Sequence, residues 1–230
     1  MKSRFFISQT ANIYGGVSGF YDMGPILTGM KQNLITEWRK HFVYFDNLHE
    51  IDTSCLLPYS VLKASGHVDK FCDILIKDEK TDVPYRADHF LADYFSTKNI
   101  TAEIDKILKN VDCMSCSEID QIIQKYDIKS PDNNNFKPAF KFNLMFETFM
   151  GLKNSSLLFL RPETAQGQFL NFKKLYEFNN KKMPFGSCSV GKAFRNEISP
   201  RTGLIRTREF EQAEIEFFVA PNKKNLKNFI

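Results

Sequence analysis

The sequence predicts an α+β fold, and three observations predict it. Ile26, Leu27, Met30, Leu34, Ile35, Trp38 and Phe42 recur near helical spacing, which marks one long amphipathic helix. Ser187–Arg195 and Ile205–Val219 read as two antiparallel strands joined through Ser199-Pro200-Arg201-Thr202-Gly203, a run rich in turn formers. Between these regions, residues 93–135 carry short helical stripes of their own. A chain of 230 residues suits one domain or a domain with an insertion. With 43% hydrophobic residues and 23 Phe, a large aromatic core is expected rather than disorder.

The elements follow in order. Asn12–Gly19 is glycine-rich, and Gly15-Gly16 supplies the positive φ of a turn. No Gly-Lys-Ser/Thr follows, so it is not a phosphate loop of the P-loop type. Asp22-Met23-Gly24-Pro25 opens the helix, which runs to about residue 44. Its apolar face suits core packing or a subunit interface. Glu50-Ile51-Asp52-Thr53 suggests a strand leading to Leu57-Pro58, and Asp73–Lys77 suggests another, with a turn at Val83-Pro84. Thr101–Leu108 sets Ile104, Ile107 and Leu108 on one face, and Ser117-Glu118-Ile119-Asp120 resembles a capping box ahead of Ile122, Ile123 and Tyr126. Asp132–Asn135 closes a helical insertion, 93–135, between a first part, 1–92, and a second, 136–230. Ser156–Leu160 is a buried strand ending at Arg161-Pro162-Glu163-Thr164, and Phe169, Leu170, Phe172 and Leu175 resume helical spacing.

The net charge of +4 permits an acidic partner without demanding one. Five cysteines at irregular spacing, and an opening Met1–Ile7 whose apolar run stops at Ser8, favour a reducing, cytoplasmic location. No apolar stretch approaches the ~18 residues of a membrane span. Cys113-Met114-Ser115-Cys116 has the spacing of half a zinc site but no second pair nearby, so no metal site is expected.

The chemistry concentrates in the predicted hairpin. Residues of one parity share a strand face, so Arg206, Arg208, Phe210, Gln212, Glu214 and Glu216 line up unless a bulge intervenes. Four residues separate Arg206 from Phe210 and Phe210 from Glu214, roughly 13 Å each. One face would then offer a phosphate fork, a stacking ring and a site for a small ammonium ion in sequence. An exposed strand laced with salt bridges has the same pattern.

The combination with other segments is more specific. Phe194-Arg195-x-Glu197, a loop, and Arg206-x-x-x-Phe210 resemble motif 2 of class II aminoacyl-tRNA synthetases. Arg161-Pro162-Glu163-Thr164-Ala165-Gln166-Gly167 looks like a segment of glycyl-tRNA synthetases, as do Gly66–Phe71, Arg86–His89, Phe142–Phe146, Ile13–Gly19 and Arg195–Arg201. The matches run from about Arg4 to Val219 and are most similar to the homodimeric, eukaryotic-like type.

The resemblance implies an antiparallel sheet flanked by helices, and a ligase that activates glycine with ATP and transfers it to tRNA(Gly). It implies that Arg195 contacts the α-phosphate and stabilises charge there, Glu197 sits near the adenine amino group, Arg206 meets the γ-phosphate and Phe210 stacks the base. Glu163 and Glu214 would hold the glycine ammonium, and Arg201 would approach the tRNA acceptor end. Residues 22–58 resemble motif 1, which builds a homodimer interface. Neither Cys188 nor Ser189 is needed as a nucleophile. The third class II motif and an anticodon-binding domain do not occur in the 230 residues. The chain therefore resembles the N-terminal part of a catalytic domain, and the main ligands of the Mg2+ that accompanies ATP are expected outside it. The alternative is a non-catalytic synthetase-like fragment that binds nucleotide, tRNA or a partner subunit.

Overall fold

The computed structural model describes residues 4–96, 102–152, 156–198, 200 and 203–220. They divide into two compact units, Met1–Val68 with Met145–Ile230, and Asp69–Leu144.

In the first unit, β1 (Ile7–Gln9) pairs antiparallel with β2 (Tyr21–Met23) around the glycine-rich turn. Gly19 there has φ 80°, and a Cβ would stand 2.8 Å from the Pro200 side chain and 3.0 Å from that of Arg208. The position therefore needs glycine for conformation and for room. Helix α1 (Pro25–Arg39) starts on a proline, whose missing N–H costs nothing in a first turn, and continues as a π-helical turn over Lys40–Phe45. The reach predicted from the apolar stripe is right, but no α1 residue is buried, and Met30 and Leu34 are 58% and 72% exposed. The stripe is split: Leu27, Ile35, Trp38 and Phe42 are half-buried, whereas Ile26, Met30 and Leu34 are exposed. Next come β3 (His49–Glu50), β4 (Leu56–Pro58), α2 (Tyr59–Ala64) and the short α3 (His67–Lys70).

The second unit holds β5 (Cys72–Asp78), β6 (Pro84–Arg86), α4 (Ala87–Ser96), α5 (Ala102–Asn110), α6 (Cys116–Lys125) and β7 (Phe136–Asn143). The strands form an antiparallel sheet in the order β6-β5-β7. Ile76, Leu91, Phe95, Ile104, Ile119 and Ile128 make its buried core, so the stripes at 104–108 and 119–126 pack where their spacing aimed them. The capping box is real but begins two residues earlier than expected. Ser115, not Ser117, caps α6, and its backbone N–H donates to the Glu118 carboxylate at 2.7 Å. Asp78 is fully buried and accepts from the backbone N–H groups of Lys80 and Thr81, both at 2.8 Å, from the Ser130 hydroxyl and from the Asn134 amide.

The chain then adds β8 (Glu147–Met150), β9 (Ser156–Leu160), α7 (Ala165–Leu170), α8 (Phe172–Phe178), β10 (Phe185–Phe194) and β11 (Glu209–Phe218). One sheet runs β4-β9-β8 and another β11-β10-β3. The predicted hairpin is the β10–β11 pair, antiparallel from Phe185 opposite Phe218 to Phe194 opposite Glu209. The strand expected over Glu50–Thr53 shrinks to β3, which lies parallel to β10.

Candidate functional site

Residues directly opposite in an antiparallel pair project to the same face. The register puts Ala193 with Phe210, Gly191 with Gln212, Ser189 with Glu214 and Ser187 with Glu216, so these four pairs share a face. Arg161, 1% exposed at the end of β9, braces that face. Its Nε donates to the Lys192 carbonyl at 2.7 Å, and Nη1 donates to the carbonyl and hydroxyl of Thr53 at 2.9 and 3.0 Å. Its guanidinium fills the space a Cβ on Gly191 would take, so that glycine is required by close approach. The strut holds Pro162, Glu163 and Thr164 beside the hairpin.

Two predicted acids meet there. Glu214 Oε2 accepts from both the backbone N–H and the hydroxyl of buried Thr164, at 2.9 and 2.7 Å. Glu163 Oε1 accepts from Gln166 Nε2 at 2.6 Å and lies 3.3 Å from His67 Nε2. The other ring nitrogen, Nδ1, is 2.9 Å from Ser65 Oγ. Each carboxylate thus has one oxygen fixed by protein donors. Glu216 sits two residues beyond Glu214 on the same face. Burial pushes its carboxyl above the ordinary range, and the charges of Glu214 and Glu163 push it further. Three acids this crowded favour a positive group among them.

The other end of the face carries the predicted nucleotide residues. Arg195 follows β10. Its backbone N–H donates to the Arg208 carbonyl at 2.9 Å and its Nε to the Pro162 carbonyl at 3.2 Å. Its guanidinium carbon lies 5.4 Å from the centroid of the Phe210 ring, a cation–π contact. One face of that ring is therefore shared with Arg195. Glu197 is half-buried, and its backbone carbonyl accepts from Arg208 Nε at 3.0 Å.

Arg206 departs from the expected alternation. The strand begins only at Glu209, behind a 3-10 turn over Gly203–Ile205, and Arg206 is an exposed loop residue. Arg208 is also not part of the row, because its Nη1 donates to the Ser18 carbonyl at 2.7 Å and its own N–H to the Gly19 carbonyl at 2.8 Å. It pins the glycine-rich turn to the hairpin. Regular alternation holds from Phe210 to Glu216 and fails before it. Arg201 lies outside the described residues.

Burial pushes the Cys188 thiol up to about 11, with Glu50 adding to the shift, so it is protonated at neutral pH. A cleft of about 650 Å3 opens beside the hairpin, but its walls are Thr10, Asp22, Lys31, Lys192 and Glu211 with Phe210, and not Glu163 or Glu214. The acids of that cleft are already paired with its own donors, Asp22 with Thr10 and Glu211 with Lys31, both at 2.8 Å, whereas Glu163 and Glu214 lie outside its walls. Among the described residues no group of three or more His, Cys, Asp or Glu side chains is disposed to hold a metal ion. Among them, too, no helix is long and apolar enough to cross a membrane.

Sequence reasoning left out Arg161, Thr164, Gln166 and His67 as site residues. The first three stand in the same Arg161–Gly167 run as Glu163, and His67 stands in the Gly66–Phe71 match. Only the fold joins them, since His67 and Glu163 are far apart in the chain.

Residues 140–230 match the tRNA synthetase class II core domain (G, H, P, S and T). A glycine–tRNA ligase of Encephalitozoon cuniculi (strain GB-M1) is 58% identical over 229 residues, covering 100% of this chain and 40% of that protein. The chain is homologous to glycine–tRNA ligases. Glycine–tRNA ligase 2 of Saccharomyces cerevisiae (strain ATCC 204508 / S288c) is 47% identical over 238 residues, 100% of this chain and 38% of its own. The chain therefore spans about two fifths of the length of these glycine–tRNA ligases. In structure it resembles a Giardia lamblia prolyl-tRNA synthetase solved in complex with prolyl-adenylate, with a TM-score of 0.50 and 17% identity over 96% of this chain and 30% of that one. That likeness is one of fold, and it agrees with the α+β class II architecture.

Proposed function

We propose that the chain is part of the catalytic domain of a glycine–tRNA ligase, which activates glycine with ATP and transfers the glycyl group to tRNA(Gly). The observation that carries the reading is the paired anchoring of Glu163 and Glu214. Thr164 holds one oxygen of Glu214, and Gln166 and His67 hold one oxygen of Glu163. Among the described residues no donor meets Glu214 Oε1 or Glu163 Oε2, which leaves two anionic acceptors for an ammonium ion.

In this reading the glycine carboxylate attacks the α-phosphorus, the bond to the β-phosphate oxygen breaks and pyrophosphate leaves. The tRNA terminal ribose hydroxyl then attacks the acyl carbon, loses its proton and releases AMP. Catalysis is by positioning and charge stabilisation. Arg195 stabilises the α-phosphate charge, and Phe210 stacks adenine on the face that Arg195 leaves open. Glu197 lies near the adenine amino group. Arg206, on its exposed loop, reaches the γ-phosphate, and Arg201 approaches the tRNA acceptor end. Mg2+ arrives with ATP. Residues 22–58 form a homodimer face, a role supported by the exposure of Met30, Leu34, Tyr44 and Phe45. Five unpaired cysteines support a cytoplasmic location.

The test is ATP–pyrophosphate exchange by the longest native form of the protein. Exchange that depends on glycine is expected. Exchange with another amino acid and none with glycine would overturn the assignment, and nucleotide or tRNA binding without any exchange would favour a non-catalytic role.

A further inference from the structure

The glycine-rich turn over 12–19 contributes no side chain to the site described above, yet one residue bonds it there. Arg208 is half-buried and is tied by its main chain and its side chain together. Its backbone N–H donates to the Gly19 carbonyl at 2.8 Å, and its carbonyl accepts from the Arg195 N–H at 2.9 Å. Its Nη1 donates to the Ser18 carbonyl at 2.7 Å, and its Nε donates to the Glu197 carbonyl at 3.0 Å. The turn that receives these bonds is itself fixed. The Thr10 N–H donates to the Phe20 carbonyl and the Val17 N–H to the Thr10 carbonyl, both at 3.1 Å. Buried Pro200 closes the contact from the other side. Its carbonyl accepts from Ser18 Oγ at 3.4 Å, and its ring takes the space where a Cβ on Gly19 would stand.

These bonds close the base of one loop. β10 ends at Phe194 and β11 begins at Glu209, so the ladder gives out where the loop starts. Arg208 takes over there, holding Glu197 on the outgoing arm and the turn beside the returning one. A planar guanidinium fork reaches two carbonyls at once in a fixed geometry, whereas an ammonium is a single point donor. Glu197 and Arg206 stand on the two arms of this loop, so their places relative to the Phe210 ring depend on the clamp. The other site groups have anchors of their own. Arg195 is held by the Pro162 carbonyl and the Phe210 ring, Glu214 by Thr164, and Glu163 by Gln166 and His67.

We infer that Arg208 is a positioning residue for ATP, which sets Glu197 and Arg206 about the nucleotide by clamping the base of their loop onto the glycine-rich turn. The inference rests on the reading of the ATP site above. Arg208 acts through main-chain carbonyls, and the turn serves as its abutment. This gives the glycine-rich segment a task at the site that requires no contact with phosphate.

The experiment is ATP–pyrophosphate exchange by the longest native form, with ATP and glycine varied separately. Wild-type exchange that does not depend on glycine would sink the function reading itself, before any variant is made. Given wild-type glycine dependence, Arg208→Lys keeps the charge and removes the fork. It should raise the KM for ATP about tenfold and leave kcat and the KM for glycine within about twofold. Saturating ATP should therefore restore the wild-type rate. Gly19→Ala attacks the same contact from the turn and should show the same split. Because both changes break one contact, the double variant should exceed the larger single effect by less than about twofold, whereas independent sites would multiply. An unchanged ATP KM in both single variants would overturn the proposal. Equal rises in both KM values, which a general loosening of the fold predicts, would overturn it too, as would a multiplied effect in the double variant. Should one variant fail to fold, the split measured in the other decides.

Discussion

Asp78 is fully buried and Glu163 and Glu214 are half-buried, and the two kinds of acid are treated in opposite ways. Asp78 receives two backbone N–H groups, a hydroxyl and an amide, spread over both of its oxygens. Glu163 and Glu214 are each held at one oxygen only. The Ser130 hydroxyl, helped by the backbone of Thr81 and Lys80 and the amide of Asn134, holds the Asp78 carboxyl well below the usual carboxylate range against the opposing effect of burial. Near Glu163 and Glu214 the shift runs the other way, with burial and their two charges raising Glu216. A saturated acid stabilises the loop it ties, whereas half-anchored acids hold a position and keep capacity for a ligand.

The largest expected effect attacks the half-anchored side. Glu214→Gln, and Glu163→Gln likewise, should raise the KM for glycine about 10- to 100-fold in pyrophosphate exchange, since a hydrogen bond to a charged group is lost. An unchanged glycine KM would make both acids structural, like Asp78. Phe210→Ala comes next. It should raise the KM for ATP about tenfold while leaving the glycine KM nearly intact, reflecting one lost stacking platform. A fall in glycine affinity of the same size would mean that Phe210 and Glu214 do not work as separate stations.

Asp78→Asn tests the saturated side. It should lower the melting temperature by several degrees with no change in either KM, and thermal unfolding followed by circular dichroism reads it. The pH dependence has a definite sign. A carboxyl depressed in the folded state contributes stability above its unfolded pKa, near ~4, and loses it as pH falls toward the lower folded value. The difference between wild type and Asp78→Asn should therefore be full at neutral pH and shrink in acid. The smallest effect belongs to Glu216→Gln. A raised carboxyl costs stability in full above its folded pKa, and the cost shrinks as pH falls from that value and is gone below the lower unfolded pKa. The variant should melt slightly higher than wild type at neutral pH, with the gain fading in acid, and a loss of stability would contradict the crowding of the three acids.

Much of the fold was legible because its signals are local. The apolar stripe from Ile26 to Phe42 marked α1 and its extension, Ser156–Leu160 marked β9, and the turn residues at 199–203 marked the hairpin. Misreadings came where competing local chemistry won. Ser115 rather than Ser117 captured the cap because Glu118 stands three residues after it. Arg206 left the strand because the 3-10 turn over Gly203–Ile205 and the clamp of Arg208 on Ser18 delay pairing until Glu209. Phe136–Asn143, of which only Phe142 and Asn143 entered the reading, within the family-like run Phe142–Phe146, became β7 by pairing with β5, a choice made by its partner strand.

By itself, the sequence determined which chemical groups the chain carries and the period on which they repeat. The row of Phe210, Gln212, Glu214 and Glu216 follows from alternation alone, because a strand offers each side chain only two directions. Tertiary structure decided which of those groups are spoken for. Hydrogen bonds between Thr164 and Glu214, the contact of His67 with Glu163 and the stack of Arg195 on Phe210 all join residues distant in the chain. Partners of that kind are set by strand register and by the buried Arg161 strut. No local spacing encodes either, so satisfied and unsatisfied acids look alike until the chain is folded.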